Sequence, residues 1–265
     1  MIKPAQIREW LESRHFKEDY EPKEEQVLFK IDGKVIGTLG NFVTYSGLAK
    51  AGKSTFLSST IASAYSEWGN LYGLELKPLP DRPVICYIDT ESSEYDFYRT
   101  INKIKLQANI KTFDNKFNAF QVREDTPETI RFMLEQYLTA FPTCSILIID
   151  GLLDILNNFN DEIESKKTIQ FLKYLTKKFN ILLIGVIHLA RKEQGGLLGH
   201  YGAFLERYSQ SVLQVEKHFE TGILQLKPKF LRSDKDFLPI CLNWTPYGFE
   251  KCLPPAEENK KAAKK

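Results

Sequence analysis

The residues best suited to chemistry in this chain are Gly47-Leu48-Ala49-Lys50-Ala51-Gly52-Lys53-Ser54. They fit G-x-x-x-x-G-K-[ST] with no departure, and the chemistry of that pattern is phosphate capture. Glycines let the backbone curl so that several N–H groups converge on one anion. A helix starting where the loop ends adds its positive end to the attraction. Lys53 then reaches the β- and γ-phosphates of a nucleotide, Ser54 offers a hydroxyl to Mg²⁺, and Thr55 extends the binding stretch. The flanks supply the required context. Asn41-Phe42-Val43-Thr44-Tyr45 is short, β-branched and aromatic, as strands are. Leu57, Ile61, Ala62 and Tyr65 fall on one face of a helix. A glycine-rich turn between two core elements is the bland alternative, and strand–loop–helix order counts against it.

Other polar residues sit at the ends of apolar runs. Asp150 closes Ile146-Leu147-Ile148-Ile149, so it would emerge at the carboxyl edge of a sheet and hold Mg²⁺. It is followed by Gly151, so a second acid to orient water must come from elsewhere. Glu91 lies just past the run Val84–Ile88 and could polarise water at that edge. Asp89 is a weaker competitor, because it can still belong to the strand. His188 follows Ile181–Ile187, where it could contact a γ-phosphate or its water.

The elements that must position these residues alternate. Strand-like runs at 84–89, 117–122, 145–150 and 181–187 alternate with helical patterns at 54–65, 93–106, 126–141 and 161–179. Such runs imply an α/β fold: a mostly parallel central sheet flanked by helices. Thr126-Pro127 is a helix start, with an N-cap and a first-turn proline. Asp32-Gly33 between Val27–Phe29 and Val35–Leu39 signals a hairpin. Pro78, Pro80 and Pro83 make 74–83 a loop. Runs at 211–215, 223–230 and 237–244 are expected as antiparallel additions. The domain reading is an N-terminal helical arm over 1–25, an ATPase domain over 26–250 and a disordered basic tail over 251–265. Ile7, Trp10 and Leu11 recur at helical spacing in the arm, which either packs locally or docks on a neighbouring subunit.

With 265 residues, 43% of them hydrophobic, the chain can bury a large core, and a net charge of +2 leaves nucleic-acid binding open. Four cysteines without C-x-x-C spacing are expected as reduced, mostly buried thiols, and the histidines show no metal spacing with them. No apolar run approaches a membrane span, so a cytoplasmic protein without membrane contact is expected.

Taken together, the phosphate loop, Asp89-Thr90-Glu91 after a strand, Ile146–Asp150 and His188 at a strand end resemble the RecA-like P-loop ATPases. Within these they are most similar to plasmid RepA-type and, more distantly, DnaB-type hexameric helicases. The resemblance implies ATP and Mg²⁺ as ligands, a homo-oligomeric, hexameric ring, and single-stranded DNA as partner. It also implies a basic finger acting in trans from late in the chain. Arg232 is the first choice, Lys229 the second and Arg207 a rival, with Lys227 nearby. Two DNA-facing loops are implied as well. One follows Asp150, where 154–164 is acidic and poor for phosphate contacts. The other spans 190–200, with Arg191 and Lys192 as contacts. An ATP-dependent binding switch without unwinding activity is the alternative, and a small-molecule kinase is a weaker one.

Overall fold

In a computed structural model of the chain, the described residues are 4–21, 24–189, 197, 199–245 and 248–255. Helix α1 spans Pro4–Glu12. Strands β1 (Val27–Ile31) and β2 (Lys34–Thr38) form the expected hairpin. Its turn residues Asp32 and Gly33 both have positive φ, 44° and 78°, which Asp-Gly tolerates. Strand β3 (Phe42–Gly47) runs into the phosphate-loop sequence, and helix α2 (Lys53–Ser63) leaves it. Residues 74–83 are not all loop, because Leu74–Leu76 form β4, which pairs with β1. The prolines begin only at 78, and a three-residue alternation is too short to stand out in sequence.

The remainder alternates as expected. It comprises β5 (Val84–Asp89), α3 (Glu94–Ala108), β6 (Phe117–Gln121), α4 (Pro127–Ala140), β7 (Cys144–Asp150), α5 (Glu162–Phe179) and β8 (Leu182–His188). Ser93, Thr126 and Asp161 cap α3, α4 and α5 with side-chain oxygens. Helix α6 (Gly199–Tyr208) precedes β9 (Ser211–Lys217), β10 (Leu224–Leu231), β11 (Ile240–Thr245) and β12 (Gly248–Cys252). Helix α6 was not anticipated, since its glycines and short length hid the period. Strand β12 continues past residue 250, so the ordered chain reaches into the segment expected as tail. Residues 256–265 lie outside the described residues.

One sheet holds nine strands in the order β12-β11-β10-β9-β3-β8-β7-β5-β6. From β9 to β6 every neighbour is parallel, and from β9 to β12 every neighbour is antiparallel. Helices cover both faces. Phe56, Leu57 and Ile61 of α2 and Ile104 of α3 pack on Tyr45, Tyr87, Ile146, Ile148, Leu182 and Ile184. Leu134, Leu172 and Leu205 of α4, α5 and α6 pack on Cys86, Ile88, Leu147, Ile149 and Leu183. Alternate residues of one strand thus enter different cores, which is why the strands look continuously apolar. No described helix is long and apolar enough to cross a membrane.

At the amino edge of the sheet, Arg82 gathers loose carbonyls. Its guanidinium donates to Pro142 O at 3.0 Å, Asn180 O at 2.8 Å and Phe179 O at 2.8 Å, and also to Cys144 O. Phe179 and Asn180 end α5, whose last carbonyls have no intrahelical donor. The planar fork serves several acceptors that an ammonium could not span. Arg82→Ala is expected to cost about 2–3 kcal/mol in urea unfolding, and Arg82→Lys to recover less than half of it. A loss below about 0.5 kcal/mol would show that water replaces the guanidinium.

Candidate nucleotide-binding site

The loop between β3 and α2 is shaped by close approach. Gly47 lies between His188 of β8 and Val215 of β9, and a Cβ there would sit 2.5 Å from Val215 O. Only glycine leaves that space. Gly52 has φ 96° and is the N-cap of α2 without a side-chain cap bond. The first N–H groups of α2 have no intrahelical acceptor, as at anion-binding helix starts. Leu48, Ala49, Lys50 and Ser54 are exposed around this loop, while Ala51 and Lys53 are buried.

Lys53 organises the interior of the site. Its Nζ donates to Gly47 O at 3.0 Å and Leu48 O at 2.9 Å, and lies 3.0 Å from His188 Nδ1. An ammonium has no acceptor, so Nδ1 of His188 accepts and the ring proton sits on Nε2. That Nε2–H donates to Glu91 Oε1 at 3.2 Å. A continuous line, Lys53 to His188 to Glu91, therefore crosses the mouth of the loop. Burial pulls Lys53 below the usual lysine range, against the pull of Glu91 and Asp150. The His188 hydrogen bond holds Glu91 below the usual carboxylate range, with burial opposing. Glu91 therefore stays ionised.

Asp150 behaves oppositely. It ends β7 beside Asp89, its register partner at the end of β5. Burial pushes its carboxyl up to about 7, and Asp89 and Glu91 push the same way. Tyr87 OH donates to Asp89 Oδ2 at 3.2 Å and lies 3.5 Å from Asp150 Oδ2. Asp89 is the last residue of β5, as the sequence allowed, and its work is structural. Its Oδ1 accepts the N–H groups of Glu91 at 3.0 Å and Ser92 at 2.8 Å, which fixes the turn that presents Glu91. The Thr90 hydroxyl accepts Gly151 N–H at 2.8 Å and donates to Asp154 Oδ2 at 2.6 Å. Burial raises the Asp154 carboxyl.

Ser54 and Asp150 are oxygen donors at one sheet edge, a set that suits Mg²⁺. Among the described residues no group of three or more His, Cys, Asp or Glu forms a metal cluster. A site with few protein oxygens fits an ion that keeps its waters and phosphate oxygens.

The structure thus brings Lys53, Glu91, Asp150 and His188 together at the glycine loop, all on the α2 side of the sheet. Arg232 and Lys229 are elsewhere. Arg232 N–H donates to Gln210 O, whose own N–H donates to Phe42 O at the amino end of β3. Arg232 also donates to Arg207 O at 2.6 Å, Lys229 pairs with Glu206, and Lys227 pairs with Glu216. Arg232 therefore lies at the edge away from the loop of its own chain, and Lys229 sits at a bulge of β10 level with the middle of β3. Arg191 and Lys192 lie outside the described residues. Sequence reasoning gave Tyr87, Thr90 and Asp154 no role of their own. Tyr87 could have been found as the residue two before Asp89 on the same strand face. Thr90 and Asp154 gave no local signal, because they meet only across strands.

No protein-family model matches the chain, and no curated protein matches it.

The raised Asp150 value has a sign that can be tested. Its folded-state value exceeds the ordinary carboxylate one, so the bound proton stabilises the fold at acidic pH. That stability is lost as pH rises toward and through about 7. Asp150→Asn removes the charge that burial penalises. Without nucleotide it is expected to melt a few degrees above wild type at about pH 8 and level with it near pH 4. Equal melting at the higher pH would refute the buried-charge account.

Proposed function

We propose that this chain is an ATP-binding and ATP-hydrolysing motor of the RecA-like P-loop class, acting on DNA in the manner of a plasmid or mobile-element replicative helicase. The observation that carries the reading is the hydrogen-bonded line from Lys53 through His188 to Glu91 across the phosphate loop. The aligned edge of parallel strands with a glycine loop is where such sites are built, and it supports the same reading.

Each residue then has a role. Residues 47–55 bind the phosphates through backbone N–H groups, and Lys53 leaves the Gly47 and Leu48 carbonyls to meet the β- and γ-phosphates. Ser54 and Asp150 would hold Mg²⁺, which supplies charge neutralisation at the phosphates when bound. Its charge would favour the ionised form of Asp150. Glu91, kept ionised by His188, orients water for attack on the γ-phosphorus and accepts its proton. Because Lys53 bonds His188 in the free site, its departure toward phosphate removes the donor to Nδ1. His188 thereby reports phosphate occupancy to Glu91.

Arg232, with Lys229 behind it, serves the site of a neighbouring copy in a ring. The register keeps Arg232 from the loop of its own chain. Arg232 has the better claim, since Lys229 is held in an ion pair with Glu206, whereas Arg232 donates to the Arg207 carbonyl.

A second reading, an ATP-dependent binding switch without unwinding, has one observation in its favour. The segment after Asp150 turns into a 3-10 helix, Leu152–Ile155, with Leu152, Ile155 and Leu156 buried. Asp154 is tied to Thr90. That segment offers no cationic, mobile loop to single-stranded DNA.

Mg²⁺-dependent ATPase activity, stimulated by single-stranded DNA in an oligomer, is the expected result. Glu91→Gln should lower kcat about 100-fold or more while ATP still binds. A monomer whose ATPase ignores DNA would overturn the motor reading. Activity without strand displacement would favour the switch.

A further inference from the structure

Beside the first turn of α2 stands a cation that the roles above leave unused. Lys103 of α3 reaches across to α2, and its Nζ donates to Thr55 Oγ1 at 3.0 Å. One turn further on, Gln107 Nε2 donates to Ser59 Oγ at 2.9 Å. Residue numbers ascend together along the two helices, so α2 and α3 run parallel and direct their N-termini to the same edge. Helix α3 starts at Glu94 and so extends beyond the start of α2 at Lys53. Lys103 therefore stands beside the first turn of α2, where the phosphate loop ends.

That position is electrostatically unfavourable for a lysine. The N-terminus of α2 is the positive end of its dipole, and a second positive charge beside it repels. Among the described residues no carboxylate forms an ion pair with Lys103. Its other neighbour is the Phe249 ring, whose centroid is 5.1 Å from Nζ. Burial alone pulls the ammonium down to about 8. A half-buried cation with a hydroxyl and a ring for partners, next to a helix start, gains most from an anion bound at that start.

We infer that Lys103 is a second phosphate-binding lysine of this site, pairing with the phosphate nearest the ribose of a bound nucleoside di- or triphosphate. The inference rests on the nucleotide reading above. Lys53 lies on the His188 side and serves the terminal phosphates. Thr55 lies further along α2, where a phosphate chain running out of the loop brings its ribose-proximal group. Lys103 reaches that turn through the Thr55 hydroxyl. A purely structural lysine would instead tie α3 to α2 through Thr55 and matter only to stability.

Calorimetric titration with ADP and with ATP separates the two. Lys103→Gln keeps a donor toward Thr55 but loses the charge. It is expected to weaken both nucleotides by about ten-fold, with Lys103→Arg recovering most of the loss. Unchanged affinity in Lys103→Gln would overturn the inference and leave the nucleotide reading standing. If the wild-type chain binds neither ADP nor ATP, the nucleotide reading falls and this inference falls with it. A measurement on the wild-type protein guards against a variant that does not fold. Saturating ADP should protect Lys103 from an amine-directed acylating reagent, as read by peptide mass spectrometry, and modification at an undiminished rate would equally overturn the proposal.

Discussion

The site depends on the register of four parallel strands. Gly47 is level with His188, and Asp89 is level with Asp150, so the polar ends of β3, β8, β5 and β7 finish at one edge. Parity matters as much as level. Tyr45, Ile148, Ile184 and Tyr87 face the core under α2, and the residues two further on, Gly47, Asp150, Val186 and Asp89, share that direction, with His188 two beyond Val186. A slip of one residue in any strand would turn its polar end to the opposite face, among Leu134, Leu172 and Leu205. The two apolar cores therefore hold the register that the chemistry needs. Burying both faces leaves no alternative pairing that keeps Asp89 and Asp150 at the rim and everything behind them dry.

Within that frame, unequal surroundings divide the labour of three carboxylates. Asp89 spends its oxygens on backbone N–H groups and on Tyr87, and so holds a turn. Glu91 is half exposed and stays ionised beside His188. Asp150 is buried and crowded by the other two, and its carboxyl is pushed up to about 7. Environments that push two neighbouring acids in opposite directions are how one site holds an acid and a base at the same pH. The free protein carries a buried lysine and, beside it, a buried acid crowded by two others.

The far side of the molecule is organised differently. Arg82 closes the amino edge by serving carbonyls that strands and helices leave over, and the antiparallel strands β10 to β12 extend the sheet beyond β9. Helix α1 forms where the Ile7, Trp10 and Leu11 spacing predicts it, yet those side chains are 46%, 54% and 55% exposed. Packing on the chain's own core, one of the two expectations for this arm, is therefore not what the structure has. The spacing specified a helix with an apolar face, but which surface covers that face is not a local property.

The sequence by itself determined the alternation of strands and helices, the cap at Thr126, the Asp-Gly hairpin and the glycine loop. It also placed Asp150, Glu91 and His188 at strand ends. These are local facts, written in period, in turn chemistry and in which residues tolerate positive φ. Short or masked elements escaped it, as β4 and α6 did, because a few residues with glycines carry too little period. Only the tertiary structure decided which strand ends meet. It made Asp89 a support for Glu91, linked Lys53 to Glu91 through His188, brought Lys103 to Thr55 and sent Arg232 to the opposite edge. Each of those outcomes depends on strand order and register, which are set by the burial of two cores over the whole chain and appear in no window of neighbouring residues.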